Sequence, residues 1–510
     1  MATLQKIDSN VTGLRYAEEA SFKVLPGSPV WKPLEPNSYA DFGGELTTVA
    51  RNPINPSRQR KKGVVTDLDA SGGFNMDITQ ENLQDLLQGF FFASLRKKDE
   101  LDVATVDGTG NDYEPASGGD GYVVDDLLFA KGFDDTANNG LKTVTAAVAA
   151  SVTVAETLVT AATQTGTISK VGHEMGSGEV DIDVSGTWPR LTRASGTFDF
   201  TTLGLVSGEF IFIGGDGAGE AFVGSNNNGM CRVRAVAATY IEFDKTAATM
   251  TNETGTGLTV RLFFGRVLKN ESDQTLIQRR TYNVERTLGA PDDAAPSDIQ
   301  AEYLTGSVPS ELALNMPTAD KITVDLSFVS ADNEQVDAAT GPKSGTRPAI
   351  VEADAFNTSS DFSRIKLAEV TAGDAFPNPL FAFVTEMTLN INNNVTGNKA
   401  LGVLGSFEVT AGTFAVSGNI TAYFSTVAAV AAVRANADIT LDMSLVKANQ
   451  GIVVDVPLIA LGDGRLNVEQ DQPITLPVTT DAATGAKVNA NQDHTLLMVF
   501  FDYLPDLADL

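Results

Sequence analysis

The side chains that could do chemistry in this chain are few and scattered. His173 and His494 stand far apart, each without a nearby cysteine or second histidine, and metal sites with nitrogen or sulfur ligands need more than that. A Ser-His-Asp arrangement does not require neighbours in sequence and stays open, but no nucleophile-elbow motif is present. Asp181 with Asp183, and Asp134 with Asp135, have the look of a carboxylate pair such as glycosidases use. With 65 acidic residues in the chain, such pairs arise by chance and read as solvated surface. Cys231 lies in an apolar stretch and reads as an inert core thiol. Asp67-Leu68-Asp69-Ala70-Ser71-Gly72 echoes the opening of a calcium loop, yet its closing acidic ligand would fall at Ile78, which cannot coordinate a metal. The glycines at 214–219 do not precede a helix, which argues against a phosphate cradle. The expectation is no enzyme, no metal and no cofactor.

What remains is a pattern of strands. In Phe383 to Phe424, Met387, Leu389 and Ile391 alternate with Glu386, Thr388, Asn390 and Asn392. Further on, Phe414, Val416, Ile420 and Phe424 alternate with Ser417, Asn419, Thr421 and Tyr423. A period of two marks strands with one buried and one wet face, and the Asn- and Gly-containing segments between the halves suit turns. The same alternation runs through Phe74, Met76 and Ile78, and through Ile322, Val324, Leu326 and Phe328. Thr79 is a plausible N-cap for an amphipathic helix carrying Leu83, Leu86, Leu87, Phe90 and Phe91, closed by Arg96, Lys97 and Lys98. Residues 1–50, with four prolines between 26 and 36, predict an irregular arm. Residues 101–121 predict a loop, and the short strands spaced through 130–268 predict a small barrel or sandwich. The expected organisation is residues 1–129 and 269–510 as one mainly β domain of antiparallel sheet with one flanking helix, interrupted by an inserted all-β domain at 130–268.

Composition narrows the function. A formal charge of -29, from 36 basic and 65 acidic residues, argues against a surface built to grip nucleic-acid backbone. The start of the chain has no apolar core or basic prelude of a signal peptide. Its longest small-apolar run, Val427–Val433, is far short of the roughly 20 residues that cross a bilayer. A soluble protein without a membrane partner is expected. One basic segment stands out: Arg51, Arg58, Arg60, Lys61 and Lys62, with no acid among them. It is either a solvated loop or a contact arm for an acidic neighbour, which in a self-assembling protein could be another copy.

The unit Gly73–Thr79 leading into Leu83–Leu95, the strand Glu386–Asn392, the strand Phe414–Phe424 and the ending around Ile452–Ile459 together resemble the major tail tube proteins of long, non-contractile-tailed bacteriophages. The resemblance covers most of residues 1–125 and 270–510. It implies two packed antiparallel sheets (a split barrel) with a flanking helix, forming a hexameric ring. Such rings stack into a hollow tube that conducts viral DNA. It also implies synthesis in the host cytoplasm and a place in the virion beside tail tip, tail terminator and tape measure proteins. The segment 51–62 looks like the family's loop to a neighbouring subunit, and the inserted domain like an external decoration.

If the polar strand face lines the channel, the lumen residues are Asp77, Asp325, Glu386, Thr388, Asn390, Glu408, Ser417 and Asn419. Duplex DNA carries about one charge per 1.7 Å of axis, and such a face offers it no cationic foothold. Two other readings remain open: another virion or surface protein such as a capsid decoration or adhesin, and a β-rich polysaccharide hydrolase with a carboxylate pair in a cleft.

Overall fold

The computed structural model describes residues 6–9, 12–54, 56–57, 59–96, 98–290, 298–381 and 383–506. The chain opens with β1 (Gly13–Glu18), β2 (Lys32–Leu34), β3 (Pro36–Arg51), β4 (Lys61–Asp77) and α1 (Gln84–Phe91). Then come β5 (Glu100–Asp107), β6 (Asp112–Pro115), β7 (Asp126–Lys131), β8 (Gly140–Val148), β9 (Ser151–Val154) and β10 (Ala161–Glu174). They are followed by β11 (Val180–Asp183), β12 (Arg190–Arg193), β13 (Phe210–Ile213), β14 (Gly229–Ala237), β15 (Tyr240–Lys245), β16 (Glu253–Thr254), β17 (Arg261–Phe264) and β18 (Arg266–Lys269). Next are β19 (Tyr282–Gly289), β20 (Gln300–Met316), β21 (Thr323–Ser330), β22 (Asp332–Val336), β23 (Phe362–Glu369), β24 (Val384–Asn392), β25 (Thr396–Asn398), β26 (Glu408–Thr410) and β27 (Ala415–Tyr423). The chain closes with α2 (Ala428–Ala435), β28 (Ile439–Lys447), β29 (Gln450–Asp463), β30 (Thr475–Ala483) and β31 (Leu497–Phe501). The fold is mainly β, as expected, with two α-helices rather than one among the described residues.

Two compact units divide these elements. The first comprises residues 1–93, 273–358 and 386–420, the second 94–272, 359–385 and 421–510. In the first unit β20 is the axis. Along one edge β21 and β22 pair with it in a single running register, from Val308↔Val329 to Thr305↔Asp332. Along the other edge lie β19, on the first half of β20, and β24, on Glu311–Met316. β21 pairs onward to β4, and β4 to β3; β19 pairs onward to β1 and β2. Alternate residues of β4, β21, β20 and β24 point inward onto α1. Phe74 stacks on Phe328 at 6.0 Å and Phe90 meets Phe328 edge-on at 5.6 Å, an arrangement aromatic quadrupoles favour.

The helix is shorter than its apolar spacing predicted. Thr79 and Asn82 bond each other reciprocally, Asn82 N–H to Thr79 Oγ1 at 3.3 Å and Thr79 N–H to Asn82 Oδ1 at 3.1 Å. That turn precedes the helix, which begins at Gln84. It ends at Phe92, left-handed at φ 48°, whose N–H returns to Gln88 O. Arg96 therefore lies beyond the helix, bridging to Val267, and Lys97 lies outside the described residues. Residues 36–51 are not irregular: they form the 16-residue strand β3. Proline heads it, and only one of its edges is paired, which is where a strand tolerates proline. Opposite Gly72, Asp41 and Phe42 bulge out between Ala40↔Gly73 and Gly43↔Ser71.

In the second unit β10, β5, β6, β9, β8 and β7 pair in that order, and β7 returns to β10, closing a six-stranded barrel. It begins at Glu100, so the stretch expected as a loop holds β5 and β6 around a tight turn at 108–111. The expected start of the insert, residue 130, falls inside β7. Val103, Val106, Tyr113, Leu128, Val144 and Ile168 fill the barrel. β10 continues into β17, β13, β14, β15, β12, β11 and β16, over a second core with Leu191, Ile211, Cys231, Phe243 and Phe264. Phe198 and Asp199 lead into a 3-10 turn at Phe200–Leu203. The rest of the unit is the sheet β23-β28-β29, extended on β29 by β30 and β31 and on β31 by β18. A third core joins the two parts: Leu127, Phe210, Phe212 and Phe263 pack with Val446, Val453, Val499 and Phe501.

Candidate functional site

The outward face of the first unit's sheet gathers most of the residues expected to act together. Strand pairing puts Asp325 opposite Asn75 on one side and Ala313 on the other. Thr323 lies opposite Asp77, and Asn390 and Thr388 lie opposite Ala313 and Asn315. Glu386 continues that face of β24. Ser417 and Asn419 stand exposed on β27, the strand beside β24. The face is concave: Ser38, Asn75, Asp325, Glu311, Asn390 and Ser417, from six strands, line one depression.

Hydrogen bonds fix these side chains. Asn75 Nδ2 donates to Asp325 Oδ1 at 2.7 Å and Asn315 Nδ2 to Asp325 Oδ2 at 2.7 Å. Asn37 donates to Asp77 at 2.6 Å and to Asn75 at 3.1 Å. Asn392 donates to Glu311 at 2.8 Å. Lys321, at the rim, sits 2.8 Å from Asp77. The amides of Asn37, Asn75, Asn315 and Asn392 thus each turn an Nδ2 donor onto a carboxylate of the same face. Sequence reasoning missed Glu311, Asn315, Asn75 and Asn37. The signal for the first two was the alternation of Leu312, Leu314 and Met316 with Glu311, Ala313 and Asn315.

Glu408 is not brought to this face. It lies on β26, in a separate two-stranded ribbon with β25. Its side chain is half exposed, with Arg279 Nη1 at 3.7 Å.

The basic segment caps the long β3–β4 hairpin. Arg51 pairs across to Lys61; Arg60, Lys61 and Lys62 are exposed, and Arg58 lies outside the described residues. Below this tip the hairpin is a ribbon exposed on both faces, and it bares Leu46, Val49, Val64 and Val65, each about half exposed. A two-stranded ribbon with bare apolar side chains gains little stability by itself. Such a cluster marks a surface that another molecule covers.

The chemistry-bearing residues elsewhere have structural partners. His173 accepts or donates at 2.9 Å to Asp126, is buried, and stacks on Phe198 at 4.4 Å. Asp135 caps the turn at Ala137, and Asp181 takes the N–H of Gly255. Asp183 takes the N–H of Ser185, and the Ser185 hydrogen bonds hold its carboxyl below the usual range. Burial pushes the Cys231 thiol up to about 12, which leaves it protonated and unreactive.

A dense charge cluster lies in the second unit, with Arg232, Lys245, Asp244, Asp442 and Asp455 buried and Arg364 partly exposed. Arg232 Nε is 2.7 Å from Asp244, Arg232 Nη1 3.0 Å from Asp455, and Lys245 Nζ 2.9 Å from Asp455 and 3.0 Å from Asp442. Arg364 Nε is 2.6 Å from Asp442. Three cations face three carboxylates, tying β14 and β15 to β23, β28 and β29.

A concave polar face with four amides turned onto its own carboxylates, an exposed apolar ribbon and buried ion pairs that fasten strands together are the features of a structural β protein rather than of a catalytic site. Two overlapping stretches, residues 9–242 and 169–482, match the model of the phage tail tube protein family, and the chain belongs to that family. It is a non-enzymatic structural subunit of a phage tail tube, and self-assembly with other tail proteins goes with that role. No curated protein matches the chain.

Proposed function

We propose that this protein, as in the tubes of long non-contractile tails, closes stacked rings of six sheets whose concave polar face lines the channel and conducts viral DNA. The observation that carries this reading is the belt of Asp77, Asp325, Glu311 and Glu386 among Asn, Ser and Thr. Each lysine or arginine that meets a phosphate releases counterions and adds affinity. A wall of carboxylate and amide oxygen repels the duplex weakly and evenly, so DNA slides. Thr388, Asn390, Ser417 and Asn419 supply the neutral part of that wall. Glu408 belongs to a contact outside it.

In the same reading the ribbon with Arg51, Arg60, Lys61 and Lys62 reaches an acidic neighbouring subunit or ring, and residues 130–268 decorate the exterior. The tube starts on tail tip proteins, ends at a terminator and encloses a tape measure protein. The test is a phage carrying Glu311→Lys and Glu386→Lys. Tails should assemble, while DNA ejection slows and becomes salt-dependent, because each phosphate contact contributes a slope of about -0.9 in log affinity against log salt. Ejection at the unmodified rate from normally assembled tails would refute a sliding wall.

A further inference from the structure

The chain carries the same eight-element arrangement twice. In order, the first is β1, β3, β4, α1, β19, β20, β21, β22, and the second is β23, β24, β27, α2, β28, β29, β30, β31. The pairings correspond. β1 pairs β19 as β23 pairs β28, and β19 pairs β20 as β28 pairs β29. β22 lies on Ala301–Thr305 of β20 as β31 lies on Gly451–Asp455 of β29. β21 then lies on the second half of β20 as β30 lies on Leu458–Asp463 of β29.

The local detail agrees. Both helices have eight residues and end on a left-handed residue at φ 48°, Phe92 and Asn436. With those two matched, Asn75 falls on Asn419, outward on each strand, and Met76 falls on Ile420, buried on each.

One pairing has no counterpart. In the first arrangement, Glu311–Met316 of β20 are paired on the β19 side by β24, the hairpin strand that follows in the chain. In the second, β28 pairs β29 only as far as Ile459, and among the described residues no ladder partner lies on that side of Ala460–Asp463. At the other end of the chain, β3, the counterpart of β24, pairs β4 and has no ladder partner on its second edge among the described residues. The chain therefore ends in two complementary open edges, and the internal joint shows how they fit.

We infer that Ala460–Asp463 of one copy pairs with the proximal part of β3, Pro36–Ala40, of a second copy, repeating between chains the β20–β24 joint found within one. The contact is heterologous, the kind that forms a ring where the rotation between copies closes, and it pairs backbone edges that would otherwise invite unwanted strand addition. Resting on the ring of six sheets proposed above, each ring then takes three chains, each contributing two sheets.

The test uses the full chain assembled into tubes. Four double variants combine a cysteine at Ser38 or Ala40 with one at Ala460 or Gly462; Cys231 is buried and does not compete. Under mild oxidation at least one variant should give covalent trimers within tubes. Reconstruction of unmodified tubes should show threefold rings with six similar sheets. Tubes in which all four variants stay uncrosslinked, or whose rings hold six chains, would overturn the inference and leave the tube reading standing. Failure of the unmodified chain to form tubes, alone or on tail tips, would overturn both.

Discussion

Asp455 is the residue whose loss should be felt most sharply in the second unit. It accepts from Arg232 Nη1 at 3.2 and 3.0 Å and from Lys245 Nζ at 2.9 Å, and it is fully buried. In Asp455→Ala the cluster passes from three cations against three carboxylates to three against two. Removing one partner of a buried pair costs about 3–5 kcal/mol. Three charge-assisted hydrogen bonds at about 1.5–3 kcal/mol each set a higher ceiling, which relaxation of the long Arg232 and Lys245 side chains lowers. At about 2 °C per kcal/mol for a unit of this size, its melting point should fall by about 6–10 °C. Scanning calorimetry should show the second unit's transition moving while the first unit's stays. The control is Lys487→Ala, which breaks an ion pair to Asp438 whose lysine is two-thirds exposed and should change stability by at most about 0.5 kcal/mol. A loss below about 1 kcal/mol in Asp455→Ala would refute the view that these charges are desolvated and mutually dependent.

Acid should destabilise the second unit through His494. Burial lowers its pKa from 6.5 to about 4, and neither ring nitrogen has a partner. The native state thus favours the neutral ring, and this contribution is present above pH 6.5. It is lost as pH falls toward 4, by about 3 kcal/mol in all. His494→Leu should flatten urea-denaturation stability across that window, and an unchanged pH profile would exclude His494 as the cause. Replacing Leu46, Val49 and Val64 by serine should change the monomer's unfolding free energy by no more than about 1 kcal/mol, since these exposed side chains cover no core. The same change should abolish tube formation by electron microscopy; normal tubes would show that the ribbon is not covered on assembly.

What could be read from the sequence followed the physics of exposure. β21, β24 and β27 bury one face and wet the other, so a period of two survives in Val324, Leu326 and Phe328 and in Met387, Leu389 and Ile391. β3 beyond Gly44 is exposed on both faces, and the first half of β20 is buried on both; neither leaves a period to find. The polar face was legible as residue types, but its assembly was not. Asn75 meets Asp325, and Asn392 meets Glu311, only through pairings between strands far apart in sequence. Glu408 shares the polar texture of its neighbours, yet the β25–β26 ribbon carries it elsewhere. Gly108–Asn111 read as a loop because turn residues in a tight hairpin and in a long loop are the same residues.

The repeat also explains where the insertion sits and why it is no longer separable. In the second arrangement three residues, 436–438, join α2 to β28; in the first, the same connection runs from 92 to 281. Lengthening a surface connection costs only about 0.6 kcal/mol per doubling, and the inserted strands bring two cores of their own. The entry point therefore asks little of the first unit. The exit is different. Leu127, Phe210 and Phe263 complete a core with Val453, Val499 and Phe501, and Arg232 and Lys245 neutralise Asp442 and Asp455. Burial pushes the Asp442 carboxyl up, but Lys245 and Arg364 outweigh it and hold it below the usual range. Excising the insert would bare that apolar face and leave Asp455 without either of its cations. Residues 94–272 thus sit in a permissive connection between α1 and β19 and also complete the core under the second unit's sheet, so the two should unfold together.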